Sequence, residues 1–258
     1  MTAWRLLDTG PLEGAVNMAF DVALMERART TGERVFRVYG WDRPTLSLGR
    51  NQVARDRYDL TRLQQKMVDV VRRPTGGRAI LHWRELTYSV TAPIESMSAA
   101  RSMYASINEI ILRTFQRLGI EAEVVRSHTK RRPDEHPCFA EPGDGEIVAH
   151  VPAGRGKLVG SAQYVENGAL LQHGSILLQD DQPILLELTE GGAARTQAAS
   201  VSAALGRDAS RSEVADALLD TVRLSADGRA GVLDMEQVRA QADTHLPLFR
   251  DPLWTWRR

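Results

Sequence analysis

The stretch KLVGSAQYVENGALLQHGSILL, residues 157–178, decides the fold. Two apolar runs, 158–165 and 170–178, flank Glu166-Asn167-Gly168, and Asn-Gly is a strong signal for a tight β-hairpin turn. The apolar content of both runs predicts interior strands. The stretch therefore predicts a β-hairpin of two interior strands.

Outside this hairpin, strand and helix patterns alternate along the chain, as they do in mixed α/β domains. In chain order we predict a helix over 16–24, two strands at 35–39 and 45–48 joined as a hairpin by the turn 40–44, a half-buried strand at 86–90, and a helix over 103–118 that ends before Gly119. The predicted fold class is therefore α/β (α+β), a central mixed β-sheet flanked by helices.

The length of the chain bounds its domain organisation. With 258 residues it lies at the upper edge of what one hydrophobic core covers, so we expect a single domain over 1–258. Ser210 and Glu213 have capping-box spacing, which predicts a C-terminal helical segment from about residue 210. Residues 127–156 are polar and broken, and so long a connection is typically a functional or mobile loop.

Composition excludes several classes of protein. Lys and Arg number 33, as do Asp and Glu, so the net charge is zero and nothing attracts nucleic acid or an anionic membrane to the whole chain. The single cysteine cannot form an internal disulfide. The N-terminal sequence lacks an export signal and no apolar run approaches ~18 residues, so we expect a cytoplasmic protein. No zinc-type spacing or P-loop is present, and no metal or other cofactor is expected.

Cys138 and Lys157 are the candidate catalytic pair. Cys138 lies between two prolines in the polar connection, where exposure favours a working thiol, and a thiolate is stabilised by a nearby cation such as Lys157. A thiol beside an ammonium group is suited to carrying an acyl group. Both residues can also have purely structural roles, since a lone cysteine is commonly a small buried hydrophobe and a lysine before a strand is commonly solvated.

A glycine turn and two histidines are the remaining candidates. Thr75-Gly76-Gly77 can bring main-chain N–H groups close to a carbonyl or phosphate, and Arg72, Arg73 and Arg78 add charge, although most such turns are only tight connections. His82 and His173 are each more often structural than catalytic. His173 sits between polar neighbours in a predicted strand, where it can line the same cavity.

In combination, these motifs resemble the biotin/lipoate protein ligase superfamily, and within it the octanoyltransferase branch of the LipM type. The resemblance extends over nearly the whole chain and rests on the segments at 4–8, 17–19, 39–41, 45–49, 72–79, 85–90, 157–163, 171–178 and 254–257.

The resemblance implies a catalytic domain of that superfamily, and an enzyme that moves an octanoyl group from acyl carrier protein to a lysine of a lipoyl-domain protein such as glycine cleavage H protein. Cys138-Phe139 matches the motif whose cysteine forms the acyl-enzyme thioester, and Lys157 matches the lysine that contacts the acyl carbonyl. We expect the substrate to contact Arg73, Thr75, Gly76, Gly77, Arg78, His82, Gly160, Ser161, Ala162 and His173, with the acyl chain in a tunnel formed by the segments 39–41, 45–48 and 171–176.

Three alternatives stay open at this point. An ATP-dependent lipoate-protein ligase would need ATP and Mg, a lipoyl amidotransferase would use a second lipoyl domain as donor, and an acyl-binding relative would have no turnover. The chain departs from the family pattern at Trp83, at residues 164–166 and in a longer connection between Cys138 and Lys157. We expect a monomer.

Overall fold

The computed structural model describes residues 4–125, 139, 144–190 and 198–258. The strands are β1 (Trp4–Leu12), β2 (Arg34–Trp41), β3 (Thr45–Leu48), β4 (Asp69–Arg72), β5 (Ile80–His82), β6 (Glu85–Pro93), β7 (Ala122–Val124), β8 (Ile147–Val151), β9 (Gly154–Glu166), β10 (Ala169–Leu177) and β11 (Gly231–Val232). The helices are α1 (Gly14–Thr31), α2 (Leu60–Gln65), α3 (Met97–Arg117), α4 (Gln182–Leu188), α5 (Val201–Leu205), α6 (Arg211–Ser225), α7 (Glu236–Arg250) and α8 (Pro252–Thr255).

The described strands form two sheets. The larger has eight strands in the order β11-β1-β2-β6-β10-β9-β8-β7, and the smaller has three in the order β4-β3-β5. In the larger sheet β1 is parallel to β2 and β11, while the pairs from β2 through to β7 are antiparallel. The predicted central mixed sheet with flanking helices is confirmed.

The hairpin of residues 157–178 forms as predicted. β9 and β10 are antiparallel neighbours with Glu166 opposite Ala169. The two turn residues, Asn167 and Gly168, have φ of 48° and 75°, the left-handed conformation that a two-residue hairpin turn requires and that Asn and Gly tolerate best.

The predicted hairpin between residues 35–39 and 45–48 is wrong. Both strands exist, but β3 belongs to the smaller sheet and pairs with β4 and β5. The reason is that β2 already has a partner on each edge, β1 on one side and β6 on the other, which leaves no edge for β3.

The strand at 86–90 is fully buried, not half-buried. Leu86, Tyr88 and Val90 face the core that contains α3 and α6, but the alternate residues Thr87 and Ser89 are buried as well. Helix α1 contacts β6 and covers that second face. Alternation here therefore separates apolar from hydroxyl side chains, not core from solvent.

Helix α3 confirms the helix that the apolar stripe predicts over 103–118, and its most buried residues include Ile107, Ile111 and Phe115. Burying side chains of this size stabilises the fold by about 1.5–3 kcal/mol each. Gly119, with φ 80°, follows the helix end as predicted.

The C-terminal helices pack on the body of the fold. Ser210 caps α6 by accepting a hydrogen bond from the N–H of Glu213 at 3.1 Å, as its spacing predicts. Helix α6 contacts α3, and α7 contacts α1. The assignment of one domain with a helical segment from residue 210 stays a prediction. Within the described ranges, no helix is long and apolar enough to cross a membrane.

The polar segment 127–156 is not one unbroken connection. It contains β8, and β9 begins at Gly154. Residues 126–138 and 140–143 lie outside the described part of the chain.

Candidate functional site

A cavity of ≈ 200 Å³ is formed by residues of both sheets together with the glycine turn. Its lining combines aromatic, small and polar side chains, and consists of Met18, Tyr39, Trp41, Ser47, Arg73, Gly77, Arg78, Ile80, His82, Thr87, Glu146, Gly160, Ser161, Ala162, His173, Gly174 and Ser175. Most motifs that the sequence singles out therefore meet at one place.

The side chain of Arg73 fixes the glycine turn through hydrogen bonds to its main-chain carbonyls. Its guanidinium Nη2 donates to the carbonyls of Gly76 and Arg78, both at 2.8 Å, and Nη1 donates to the carbonyl of Ser47 at 2.9 Å. Gly49 packs directly on this turn, because a Cβ built on Gly49 would lie only 1.9 Å from the carbonyl oxygen of Gly77. The glycine that ends the 45–49 motif thus makes room for the turn.

This arrangement leaves peptide N–H groups available at the turn. The N–H groups of Gly76, Gly77 and Arg78 have no acceptor among the residues that the structure describes. Since a trans peptide directs its C=O and N–H to opposite sides, fixing the Gly76 carbonyl on Arg73 turns the N–H of Gly77 away from the guanidinium. Such a nest of N–H groups suits a developing negative charge.

Thr75 ends a buried hydrogen-bond chain that begins at Asp21. Asp21 Oδ2 lies 2.9 Å from His173 Nδ1, and His173 Nε2 lies 2.6 Å from Thr75 Oγ1. Arg37 Nη1 donates to the other carboxylate oxygen of Asp21 at 2.9 Å. Because a carboxylate accepts, Nδ1 of His173 carries the proton and Nε2 accepts from the Thr75 hydroxyl.

The protonation states follow from burial and partners. Burial alone would raise the pKa of Asp21, but the hydrogen bond from His173 and the charge of Arg37 lower that pKa below its usual value. Burial lowers the pKa of His173, against the opposing effect of Asp21. In this hydrogen-bond chain Asp21 is therefore a carboxylate and His173 a neutral imidazole.

A second carboxylate, Glu85, supports the other cavity histidine. Its Oε1 accepts from His82 Nδ1 at 2.8 Å, Ser175 Oγ at 2.9 Å and Trp41 Nε1 at 3.2 Å. The Trp41 and His82 rings stack with their centres 4.0 Å apart. These contacts fix the plane of His82 and leave its Nε2 as the nitrogen not engaged by Glu85 or Ser175.

Lys157 is fully buried, which excludes the solvated strand end considered above. Its Nζ lies 2.6 Å from Glu146 Oε1, and 4.7 Å from the centre of the Phe139 ring. A β-bulge gives it this position: Val159 lies opposite Ile147, but Lys157 lies opposite the next residue, Val148. The extra residue turns the Lys157 side chain onto the face of Gly160, where a Cβ would be 3.1 Å from Lys157 Cε.

The predicted site residues are placed as follows. The cavity lining includes Arg73, Gly77, Arg78, His82, Gly160, Ser161, Ala162 and His173. Thr75 contacts the lining through His173, Gly76 through Arg73, and Lys157 through Glu146. Their roles toward a substrate stay predictions.

Cys138 lies outside the described residues. Phe139, which follows it in sequence, is buried and packs under the ammonium group of Lys157. Arg72, by contrast, belongs to the scaffold, since its guanidinium donates to the main-chain carbonyls of Gly49 and Gln52.

The acyl tunnel expected from sequence corresponds in part to the cavity. Of its predicted segments, the lining uses Tyr39, Trp41, Ser47 and residues 173–175. Trp83 and residues 164–166, where the sequence departs from the family pattern, do not line it.

Sequence reasoning missed three carboxylates, Asp21, Glu85 and Glu146. Asp21 did carry a signal, because it interrupts the apolar run 18–25 of a helix that packs on the sheet. Within the described ranges, no group of three His, Cys, Asp or Glu side chains could hold a metal ion.

Comparison with known proteins agrees with this geometry. The family model for the lipoyl protein ligase A/B catalytic domain matches residues 13–223. Octanoyltransferase LipM of Kyrpidia tusciae is 43% identical over 195 residues, which cover 72% of this chain and 69% of that protein. Octanoyltransferase LipM of Bacillus subtilis is 37% identical over 195 residues, covering 72% and 69%.

Solved structures agree on the fold. A bi-partite lipoate protein ligase from Thermoplasma acidophilum has a TM-score of 0.79 at 22% identity, covering 99% of this chain and 97% of that chain. Lipoate-protein ligase A bound with ATP has a TM-score of 0.78 at 23% identity, covering 99% and 98%. At such identities the likeness concerns the fold alone.

Proposed function

Because the chain belongs to the lipoyl protein ligase A/B catalytic-domain family, we propose that it is an octanoyltransferase of lipoate biosynthesis whose acceptor is a lysine of a lipoyl-domain protein. The observation that carries this function is the 37–43% identity to octanoyltransferase LipM relatives over more than two thirds of both chains. The cavity supports this function, because residues from most of the matching motifs line it.

The reaction is a covalent relay in two steps. The Cys138 thiolate attacks the octanoyl thioester of acyl carrier protein, the new C–S bond replaces the old one, and pantetheine leaves as a thiolate that takes up a proton from solvent. One thioester replaces another, so this step is near energetic balance and needs no ATP. The acceptor lysine amine then attacks the acyl-enzyme to form an amide, which makes the second step downhill. Glycine cleavage H protein is the acceptor that we propose.

The described residues supply charge stabilisation. The N–H groups of the glycine turn and the Lys157 ammonium are the donors for the oxyanion of each tetrahedral intermediate. Glu146 pairs with Lys157 and, together with Phe139, fixes its ammonium group. The role of Glu146 is therefore positioning.

The second step also needs a proton acceptor, because an acceptor lysine arrives as an ammonium ion. His82 is the cavity side chain that fits, since its Nδ1 is held by Glu85 and its other ring nitrogen can accept a proton. Loss of that proton frees the amine to form the C–N bond. The second proton that the nitrogen loses as the amide forms passes to the departing sulfur, so Cys138 leaves as the thiol.

Incubation with octanoyl-acyl carrier protein followed by intact-mass analysis tests the relay. Wild type should gain one octanoyl group, and Cys138→Ala should gain none. Lys157→Ala should form the adduct ~100- to 1,000-fold more slowly, as expected for loss of one oxyanion donor. Circular dichroism should show that the variant is folded.

Lys66→Ala is the matched control, since Lys66 also pairs with a glutamate at 2.6 Å but on the surface. It should react like wild type. Absence of a Cys138-dependent adduct, together with lipoyl transfer that requires ATP, would establish a ligase and refute the proposed function.

A further inference from the structure

A cationic surface, exposed at Arg55, Arg57 and Arg258 and partly exposed at its other members, borders the cavity, and we name it the arginine surface. It consists of six arginines, namely Arg50, Arg55, Arg57, Arg78, Arg257 and Arg258. Arginines elsewhere in the described ranges commonly pair with a carboxylate, as Arg84 does with Asp181. The six members of the arginine surface form no such ion pair within the part of the chain that the structure describes.

Main-chain contacts bring these residues together. The carbonyl of Arg258 accepts from the N–H groups of Ala54 and Arg55 at 2.9 and 3.0 Å, and Arg257 Nη2 donates to the carbonyl of Arg50. The two chain segments at 50–57 and 257–258 thus form one surface.

The arginine surface is continuous with the cavity. The N–H of Arg50 donates to the carbonyl of Thr75 at 2.7 Å, which joins the 50–57 segment to the glycine turn. Arg78 is partly exposed and lines the cavity, so it belongs to both. A partner on the arginine surface would therefore lie next to the cavity, at Arg78 and the glycine turn.

The positive charge there is concentrated. Burial, together with the neighbouring Arg257 and Arg258, lowers the pKa of Arg72, just beneath the surface, to about 10. The exposed carboxylates nearby are Asp56, on the 50–57 segment, and Glu190, whose N–H donates to the carbonyl of Arg57 at 2.9 Å, and the six arginines outnumber them. In a chain of zero net charge, such a local excess requires compensating acids elsewhere.

We propose that the arginine surface docks the acidic face of the carrier protein that delivers the octanoyl thioester, an inference that rests on the proposed function. A carrier that presents its thioester on a flexible arm must rest its body beside the cavity while the arm enters. Complementary charge at that place would speed encounter and orient the carrier.

The test compares two donors, octanoyl-acyl carrier protein and octanoyl-pantetheine, which carries the same thioester without a protein. In the variant Arg55→Glu/Arg57→Glu, both altered residues are exposed and lie outside the proposed catalytic machinery. We expect its KM for the carrier-protein donor to rise about tenfold and its dependence on salt to weaken. Its kinetics with octanoyl-pantetheine should stay those of wild type, which also shows that it is folded.

Arg101→Glu/Arg117→Glu is the matched control, since these two exposed arginines of α3 also lack an ion pair among the described residues. It should keep the wild-type KM for both donors. An unchanged KM for the carrier protein in Arg55→Glu/Arg57→Glu would overturn the proposal, and so would a change confined to the KM of the lipoyl-domain acceptor. Failure of wild type with both donors would instead refute the proposed function itself.

Discussion

Replacement of Gly49 by alanine tests whether close backbone contact sets the position of the glycine turn. A Cβ on Gly49 would lie 1.9 Å from the carbonyl oxygen of Gly77, and real Cβ atoms essentially never come within 3.0 Å of another heavy atom. The turn must therefore retreat by more than 1 Å. Gly49 does not have a positive φ, so steric overlap is the whole cause.

The cost has two parts. Overpacking of this kind destabilises by about 1–3 kcal/mol, and the turn cannot slide easily because Arg73 holds the carbonyls of Gly76 and Arg78. A displacement near 1 Å at a reacting centre can lower the rate about 100-fold. We expect Gly49→Ala to show both losses.

Gly76→Ala is the matched control in the same turn. A Cβ there meets nothing within 4 Å, and Gly76 does not have a positive φ. It should be neutral or stabilise the fold by about 0.4–1 kcal/mol, since alanine has fewer conformations than glycine in the unfolded chain.

Urea denaturation measures the free energy of unfolding of both variants, and octanoyl transfer measures kcat/KM for Gly49→Ala. If Gly49→Ala matches wild type in stability and rate, the turn is not positioned by this contact. The reasoning also fails if Gly76→Ala loses as much stability as Gly49→Ala.

Three further changes test the buried network and a helix cap. Asp21→Asn should lower the free energy of unfolding by about 3–5 kcal/mol in urea, because it leaves the buried Arg37 guanidinium without its counter-charge. The folded-state pKa of His173 lies below its ordinary value of 6.5, so the unfolded chain takes up the proton first. Stability should be fully present above pH ~6.5 and decrease as pH falls toward the folded pKa. Unfolding measured across this range should show a weaker decrease in His173→Gln, and an unchanged decrease would contradict the assignment. Ser210→Ala should cost about 1 kcal/mol in thermal unfolding and leave octanoyl transfer unaffected.

The elements that sequence predicts best are those whose cause is local. Asn167 and Gly168 form the β9–β10 turn because their own backbone preferences allow it. Ser210 caps α6 through a hydrogen bond to a residue only three positions later in the sequence. The wrong predictions concern which strand or helix an element packs against. Nothing within residues 35–48 indicates that β1 and β6 already occupy both edges of β2, and a strand pattern does not reveal which helix covers its second face.

The same distinction between local and long-range causes applies to the residues of the site. Its motif residues can be found from sequence because glycine, histidine and arginine stand out in short patterns. The carboxylates that orient them cannot, since Asp21 and His173 are 152 positions apart in the chain and meet only after β10 has paired beneath α1. Glu146 is likewise recognisable only once β8 and β9 bring it to Lys157.

The spacing of Lys157 and Gly160 carries structural information that the motif alone does not explain. Residues three apart in a regular strand point to opposite faces of the sheet. Lys157 reaches the face of Gly160 because the bulge adds one residue between them, as the pairing of Val159 with Ile147 and of Lys157 with Val148 shows. Gly160 then lacks the side chain that would collide with Lys157 Cε and the Phe139 ring. The motif therefore specifies a bulge together with the gap that the bulge needs, and both are required to place a buried ammonium group beside the cavity.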